Sequence, residues 1–278
     1  MYGPPDANSL HLLRAYFTKY PEDAEKVVLS IKGGLDAATF TIDGSEAGVR
    51  RFVEESVAIL GGTKKIDVFE YARLDQKVQV EETVGALKKC VDDGLIGGIG
   101  LSEVRAETVR RAAKVAPIAA VEVELSLATR DVLSNGIVDT CAELGIPVVA
   151  YSPLCRGLLT GKVRTDDDVQ KKVLIKGFPR FQGKALKANL KLVDALETIA
   201  ERKGCKPSQV AVAWVISQGS GKVPIIPIPG ASSVERVEEN LTEVSLSKDD
   251  MEEIAEILYK HPVEGLRYPE AFMALCDA

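Results

Sequence analysis

Pro224 to Asn240 reads PIIPIPGASSVERVEEN, and its two halves obey different physics. Residues 223–229 are apolar, rich in isoleucine and stopped by Gly230, which predicts a buried strand with prolines near its ends. From Ala231 onward the pattern predicts a short polar helix with Ser232 or Ser233 as its N-cap. A strand, a glycine and a serine-capped helix start present several backbone N–H groups to an anion, and Arg236 lies one turn in, able to face it. Taken alone, the turn is also what any α/β protein uses to join a strand to a helix.

The rest of the chain repeats that alternation. Strands are predicted at residues 27–31, 66–70, 96–101, 119–124, 148–151 and 225–228. Helices are predicted at 9–17, 46–60, 81–93, 107–115, 131–144 and 185–203, with others starting at Pro207 and Ser247. Alternating strand and helix implies parallel strands with helical crossovers. No GxGxxG follows a strand, so a Rossmann dinucleotide fold has no support. A parallel α/β barrel is the expected fold, although six strands are found where a closed barrel has eight. Residues 156–182 form a long irregular insertion, expected to be a loop over a site. No proline- or glycine-rich linker divides residues 1–278, so one domain is expected.

Composition narrows the function. A net charge of −6 disfavours nucleic acid and anionic membranes as partners. No apolar run approaches a membrane span, and MYGPPDANSL lacks the regions of a signal peptide. Five cysteines without metal-type spacing fit a reducing cytoplasm. His11 and His261 are the only histidines, so no metal site is expected.

Lys32 follows the strand 27–31, on the catalytic face of a parallel barrel, and Gly33 and Gly34 are expected to keep the rim open. A lysine beside a tyrosine lowers the phenol's pKa, and such a phenol can protonate a carbonyl oxygen as hydride reaches carbon. Tyr2 is the candidate acid. Taken singly, a lysine like Lys32 is more often a snorkelling rim residue and a tyrosine like Tyr2 a frayed terminal one.

Together these residues resemble the aldo-keto reductase family, whose Tyr-Gly motif precedes a helix and a strand ending in lysine. Tyr2-Gly3 and Lys32 match it, while the family's aspartate would fall before residue 1. Its histidine is replaced: Asp67 to Asp75 reads DVFEYARLD, with Ala72 in that place. Ser102 matches a residue that seats the nicotinamide carboxamide, with Glu103 and Glu122 replacing an asparagine and a glutamine. Tyr151-Ser152-Pro153-Leu154 matches the turn whose tyrosine stacks on nicotinamide, and Gly157, Leu158 and Gly161 follow on the pyrophosphate loop. Gly230, Ser232, Arg236, Glu239 and Asn240 match the segment around the adenosine 2′-phosphate of NADPH.

Within the family the chain is most similar to fungal-type pyridoxal reductases, through Glu70, Ala72, Arg73 and Asp75, the VEVE strand and Arg267-Tyr268-Pro269. The resemblance implies NADPH-dependent reduction of an aldehyde, with pyridoxal giving pyridoxine in vitamin B6 metabolism. A related aldehyde or aryl-alcohol reductase, or a non-catalytic relative that binds nucleotide or a partner chain, are the alternatives. It also implies a barrel without its first strand–helix–strand portion. Residues 27–31 and 225–228 would then be bare edges, with apolar surface around Ile31 and Ile226, prone to self-association, to capture of a missing segment or to loose packing.

Overall fold

Strands and helices alternate along the computed structural model, which describes residues 2–36, 39, 41–173, 175–273 and 276. In chain order the elements are α1 (Ser9–Lys19), β1 (Ser30–Gly33), α2 (Glu46–Leu60), β2 (Val68–Tyr71), α3 (Val80–Asp92), β3 (Ile99–Ser102) and α4 (Ala106–Ala113). β4 (Ile118–Glu124), α5 (Ile137–Leu144), β5 (Val148–Tyr151), α6 (Asp166–Gln170), α7 (Gly183–Lys203) and α8 (Pro207–Ser217) follow. The last are β6 (Ile225–Ile228), α9 (Val234–Leu241), α10 (Lys248–Lys260) and α11 (Glu270–Met273). Strand order follows chain order, and β1–β2, β2–β3, β3–β4 and β5–β6 pair in parallel. Helical crossovers make that arrangement possible. The chain divides into two compact units, the first built mainly from Met1–Glu122 and the second from Val123–Ala142 with Pro147–Leu275.

In the first unit, α2 shows why the sequence folds as it does. The Ser45 hydroxyl accepts from the Gly48 N–H at 3.2 Å, and Gly61 ends the helix in the left-handed region at φ 60°. Between these caps Val49, Phe52, Val53, Ser56 and Leu60 share the buried face. Phe69, Ile99 and Leu101 supply the strand side of the core, each burial contributing roughly 1.5–3 kcal/mol. Gly33 and Gly34 do not keep an open rim. A Cβ on Gly33 would strike the Phe69 ring, and one on Gly34 would lie 2.6 Å from the Tyr71 ring. Those two rings occupy the expected gap.

In the second unit, Leu192, Val193, Leu196 and Ile199 of α7 and Val210, Trp214 and Val215 of α8 are buried. The insertion is less irregular than expected, because α6 forms inside it on a Thr165–Asp168 capping box.

Several boundaries differ from expectation. β1 begins at Ser30 because Asp67 accepts from the Leu29 N–H at 2.7 Å and the β2 ladder starts only there, leaving Val28 79% exposed. The helix expected over 131–144 is a short 3-10 turn, Asp131–Leu133, and then α5, interrupted where Gly136 takes φ 89°. β6 is not a buried strand: Ile226 and Ile228 are 49% and 44% exposed, since it pairs with β5 alone among the described residues. Ile31, expected at an apolar gap, is buried.

Candidate active site

Register explains the centre of the first unit. Parallel pairing sets Lys32 of β1 opposite Glu70 of β2, and Ser102 of β3 opposite Glu122 of β4. The Lys32 ammonium donates to Ser102 Oγ at 3.0 Å and to Glu122 Oε1. It also lies 2.6 Å from Glu70 Oε1, although that oxygen is out of line for a hydrogen bond. Side chains of β2, β3 and β4 therefore converge on the one nitrogen that β1 supplies.

Burial lowers the proton affinity of the Lys32 ammonium, but Glu70 and Glu122 more than compensate and hold its pKa above the usual lysine value. Burial pushes the Glu70 carboxyl up to about 7; Lys32 opposes the shift and Glu122 adds to it. Arg73, after β2, reaches the Ala72 carbonyl oxygen and lies 3.5 Å from Ser102 Oγ.

Tyr2 is tied to the start of α1. Its carbonyl accepts from the Ser9 N–H at 2.8 Å, and its own N–H meets Ser9 Oγ at 3.4 Å. The residue is 70% exposed, yet its phenol feels the cluster. Lost hydration raises its pKa first, Lys32 opposes that, and Glu122 and Glu70 raise it further. Lys32 does pull the phenol's pKa down, as expected, but burial first and the two carboxylates after it outweigh that pull and leave the net shift upward.

Backbone strain marks the other segments singled out by resemblance. Glu103, Ser152, Cys155 and Arg156 are the non-glycine residues with positive φ among those described, and they lie just beyond β3 and β5. Strained residues in the left-handed region persist where surrounding structure fixes them, commonly at functional loops. The Leu154 carbonyl accepts from the Gly157 N–H at 2.9 Å, and Gly157 takes φ 96°.

In the second unit the Tyr151 hydroxyl meets that of Tyr268 at 3.0 Å. Buried Glu124 is ringed by Arg156, Arg180 and Arg267 at 3.4–3.9 Å. Ser233, rather than Ser232, caps α9, accepting from the Arg236 N–H at 3.4 Å. Gly230, Ser232 and Arg236 are exposed, and no carboxylate pairs with Arg236 among the described residues. Glu239 is engaged by Lys206 at 2.7 Å and by Ser208, and Asn240 follows it, half-buried.

These residues fit a nicotinamide dinucleotide best at its phosphate end, where a capped helix start carries an exposed cation with no carboxylate partner among the described residues. At the carboxamide end Ser102 and Glu122 are both drawn to Lys32. Reading the sequence missed Glu70 as a member of the cluster. The available signal was a lone carboxylate between two core aromatics, Phe69 and Tyr71.

Residues 1–259 match the Aldo/keto reductase family. The chain is 46% identical over 277 residues to the probable pyridoxal reductase 2 of Schizosaccharomyces pombe, covering 96% of this chain and 82% of that one. It is 41% identical over 270 residues to a putative pyridoxal reductase of Saccharomyces cerevisiae, with 90% and 77% covered. The glycerol dehydrogenase structure from Gluconobacter oxydans matches with a TM-score of 0.81 at 28% identity, covering 93% and 79%. A thermostable aldo-keto reductase solved with the inhibitor epalrestat matches with a TM-score of 0.68 at 24% identity, covering 89% and 77%. The chain belongs to the aldo/keto reductase family. Its fold is that family's parallel α/β barrel type, with six strands among the described residues, and its chemistry is carbonyl oxidoreduction with NAD(P)H.

Proposed function

We propose that the chain reduces an aldehyde to an alcohol with NADPH, and that pyridoxal, giving pyridoxine, is its leading substrate. The observation that carries the reading is the Lys32 cluster at the ends of β1 to β4, whose charges all act on the Tyr2 phenol. When bound, the cofactor supplies hydride to the carbonyl carbon. Tyr2 supplies the proton to the carbonyl oxygen. A phenol with a raised pKa is a weaker acid than expected, but it is fully protonated at neutral pH and ready to donate. Lys32 stabilises the phenolate left behind. Ser102, Glu122 and Tyr151 are the candidates for seating the nicotinamide, and Gly230, Ser232 and Arg236 for the adenosine phosphate. Ser152, Leu154 and Gly157 shape the loop assigned to the pyrophosphate. The pyridoxal assignment draws on the relatives named as pyridoxal reductases. No helix among the described residues is long and apolar enough to cross a membrane.

A broader reading as an aldehyde or polyol oxidoreductase is favoured by the similarity to glycerol dehydrogenase. The test is NADPH oxidation against a panel of aldehydes, with chromatography of the product. Tyr2→Phe should lower kcat for pyridoxal by about 10²–10⁴-fold while cofactor binding persists. Equal turnover by Tyr2→Phe and the parent would remove Tyr2 from the mechanism.

A further inference from the structure

The reductase reading uses Tyr2 and Lys32 but leaves Glu70 without a task. Glu70 is 2% exposed and lies 2.6 Å from the Lys32 nitrogen. What lets it lie there is Gly100 on β3, its register partner: a Cβ at residue 100 would come within 3.0 Å of Glu70 Cγ. Across that gap Glu122 binds the same ammonium from β4. Two carboxylates around one ammonium, all largely buried, leave net negative charge in a poorly hydrated place if both ionise. Retaining one proton removes that cost. Ala72, buried at the end of β2, stands where the family's histidine would be and offers no ionisable group.

We propose that Glu70 is a positioning residue that serves as the proton store of this site, resupplying Tyr2 through Lys32. The inference rests on the reductase reading. The Tyr2 O–H bond breaks as an O–H bond forms on the product, while reduced nicotinamide gives hydride to the carbon and is itself oxidised. A Lys32 N–H bond then breaks as the Tyr2 O–H bond reforms. The neutral amine takes the Glu70 proton, so an N–H bond forms where the Glu70 O–H breaks. Water reprotonates the Glu70 carboxylate by way of Lys32, whose side chain keeps 16% exposure. The charged or titratable groups acting on Glu70 are Lys32 from β1 and Glu122 from β4, and Glu70 in turn acts on Tyr2 of the N-terminal segment.

Carbon-13 NMR of glutamate carboxyls in the intact protein tests the store without turnover. One carboxyl should titrate near pH 7, vanish in Glu70→Gln and move to lower pH in Glu122→Gln. In the kinetic arm, wild-type kcat for pyridoxal should fall above about pH 7, whereas Glu70→Gln should be slower by about tenfold at pH 6 and insensitive to pH from 6 to 8. Glu70→Asp should restore part of both signals. The proposal is overturned if no glutamate titrates in that range, if the titration survives in Glu70→Gln, or if Glu70→Gln keeps the wild-type profile. Should Glu70→Gln fail to fold, an unmoved midpoint in Glu122→Gln overturns it equally. A carboxyl that titrates as expected in a protein reducing no carbonyl would sink the reductase reading and leave the proton site standing.

Discussion

Tyr151 and Tyr268 join hydroxyl to hydroxyl at 3.0 Å across 117 positions of the chain, within the second unit. The segment carrying Tyr268 is held by two further groups. Asn189 accepts from the Glu264 N–H at 2.8 Å and donates to the Glu264 carbonyl at 3.0 Å, and Arg180 donates to the Gly265 carbonyl at 3.1 Å. Asn189→Ala should therefore cost roughly 1–2 kcal/mol, because it strands the part-buried Glu264 backbone groups and the buried Arg180 carbonyl. Hydrogen exchange should show faster exchange of the Glu264 and Gly265 amides in this variant than in the parent. Unchanged protection there would mean that the segment is held by other contacts.

Arg236→Ala should weaken NADPH binding far more than NADH binding, by about tenfold or more in the ratio of affinities. The guanidinium is exposed on a serine-capped helix start and has no carboxylate partner among the described residues. Titrating both cofactors against the fluorescence of the single tryptophan, Trp214, measures it. An unchanged ratio removes Arg236 from the phosphate site.

Gly34→Ala should destabilise the protein by roughly 2–4 kcal/mol. Two causes act together: φ is 82° there, and the added methyl would lie 2.6 Å from the Tyr71 ring. Urea unfolding gives the number, and a loss below about 0.5 kcal/mol would show that the ring moves aside freely.

Asp250 binds Lys203 at 2.7 Å and Arg202 at 3.1 Å, and accepts from the Ser247 N–H at 2.8 Å. Lys203, the Ser247 amide and Arg202 hold its carboxyl well below the usual aspartate value. A depressed pKa contributes stability above the unfolded value of about 3.9, and that contribution disappears as pH falls through the folded one. Asp250→Ala should lose about 1–2 kcal/mol at pH 7 from the lost cap alone, and the difference from the parent should shrink in strong acid. Thermal melts across pH test this, and a gap that stays constant down to pH 2 contradicts it.

Self-association through strand edges is the remaining expectation. β6 pairs with β5 alone among the described residues, its outer isoleucines are about half exposed, and α9 next in the chain exposes Val234, Val237 and Leu241. Sedimentation should reveal species heavier than the monomer, and Ile228→Lys should reduce them. A compact parent monomer that binds no ANS would rule the edges out as adhesive.

Much of the architecture was legible because helix periodicity is a strong signal. The buried face of α2 could be read from Val49, Phe52 and Val53, while Val57, expected on the same face, is only half-buried and Ser56 and Leu60 complete the face instead; the helix bounds agree with the sequence. Strand ends were less legible, since β1 starts where Asp67 caps Leu29, a partner 38 positions away that no local pattern reveals. At the candidate site Tyr2, Lys32, Ser102 and Glu122 could be named from motifs, and the structure draws the last three together. The net direction of the Tyr2 shift could not be read. It depends first on burial of the phenol and then on Glu122 and Glu70 gathering around Lys32, which is a matter of register.

The same register has a consequence for how the chain acquires its chemistry. Lys32 meets Glu122 across 90 positions, and three helical crossovers must be laid down before the two strands share a sheet. Closing a contact of such sequence separation carries a large loop-closure cost, so the cluster is expected to form late in folding. Replacing Glu122 should then leave the refolding rate almost untouched and express its whole effect in the rate of unfolding. On that expectation the site would be the last latch to shut and the first to open.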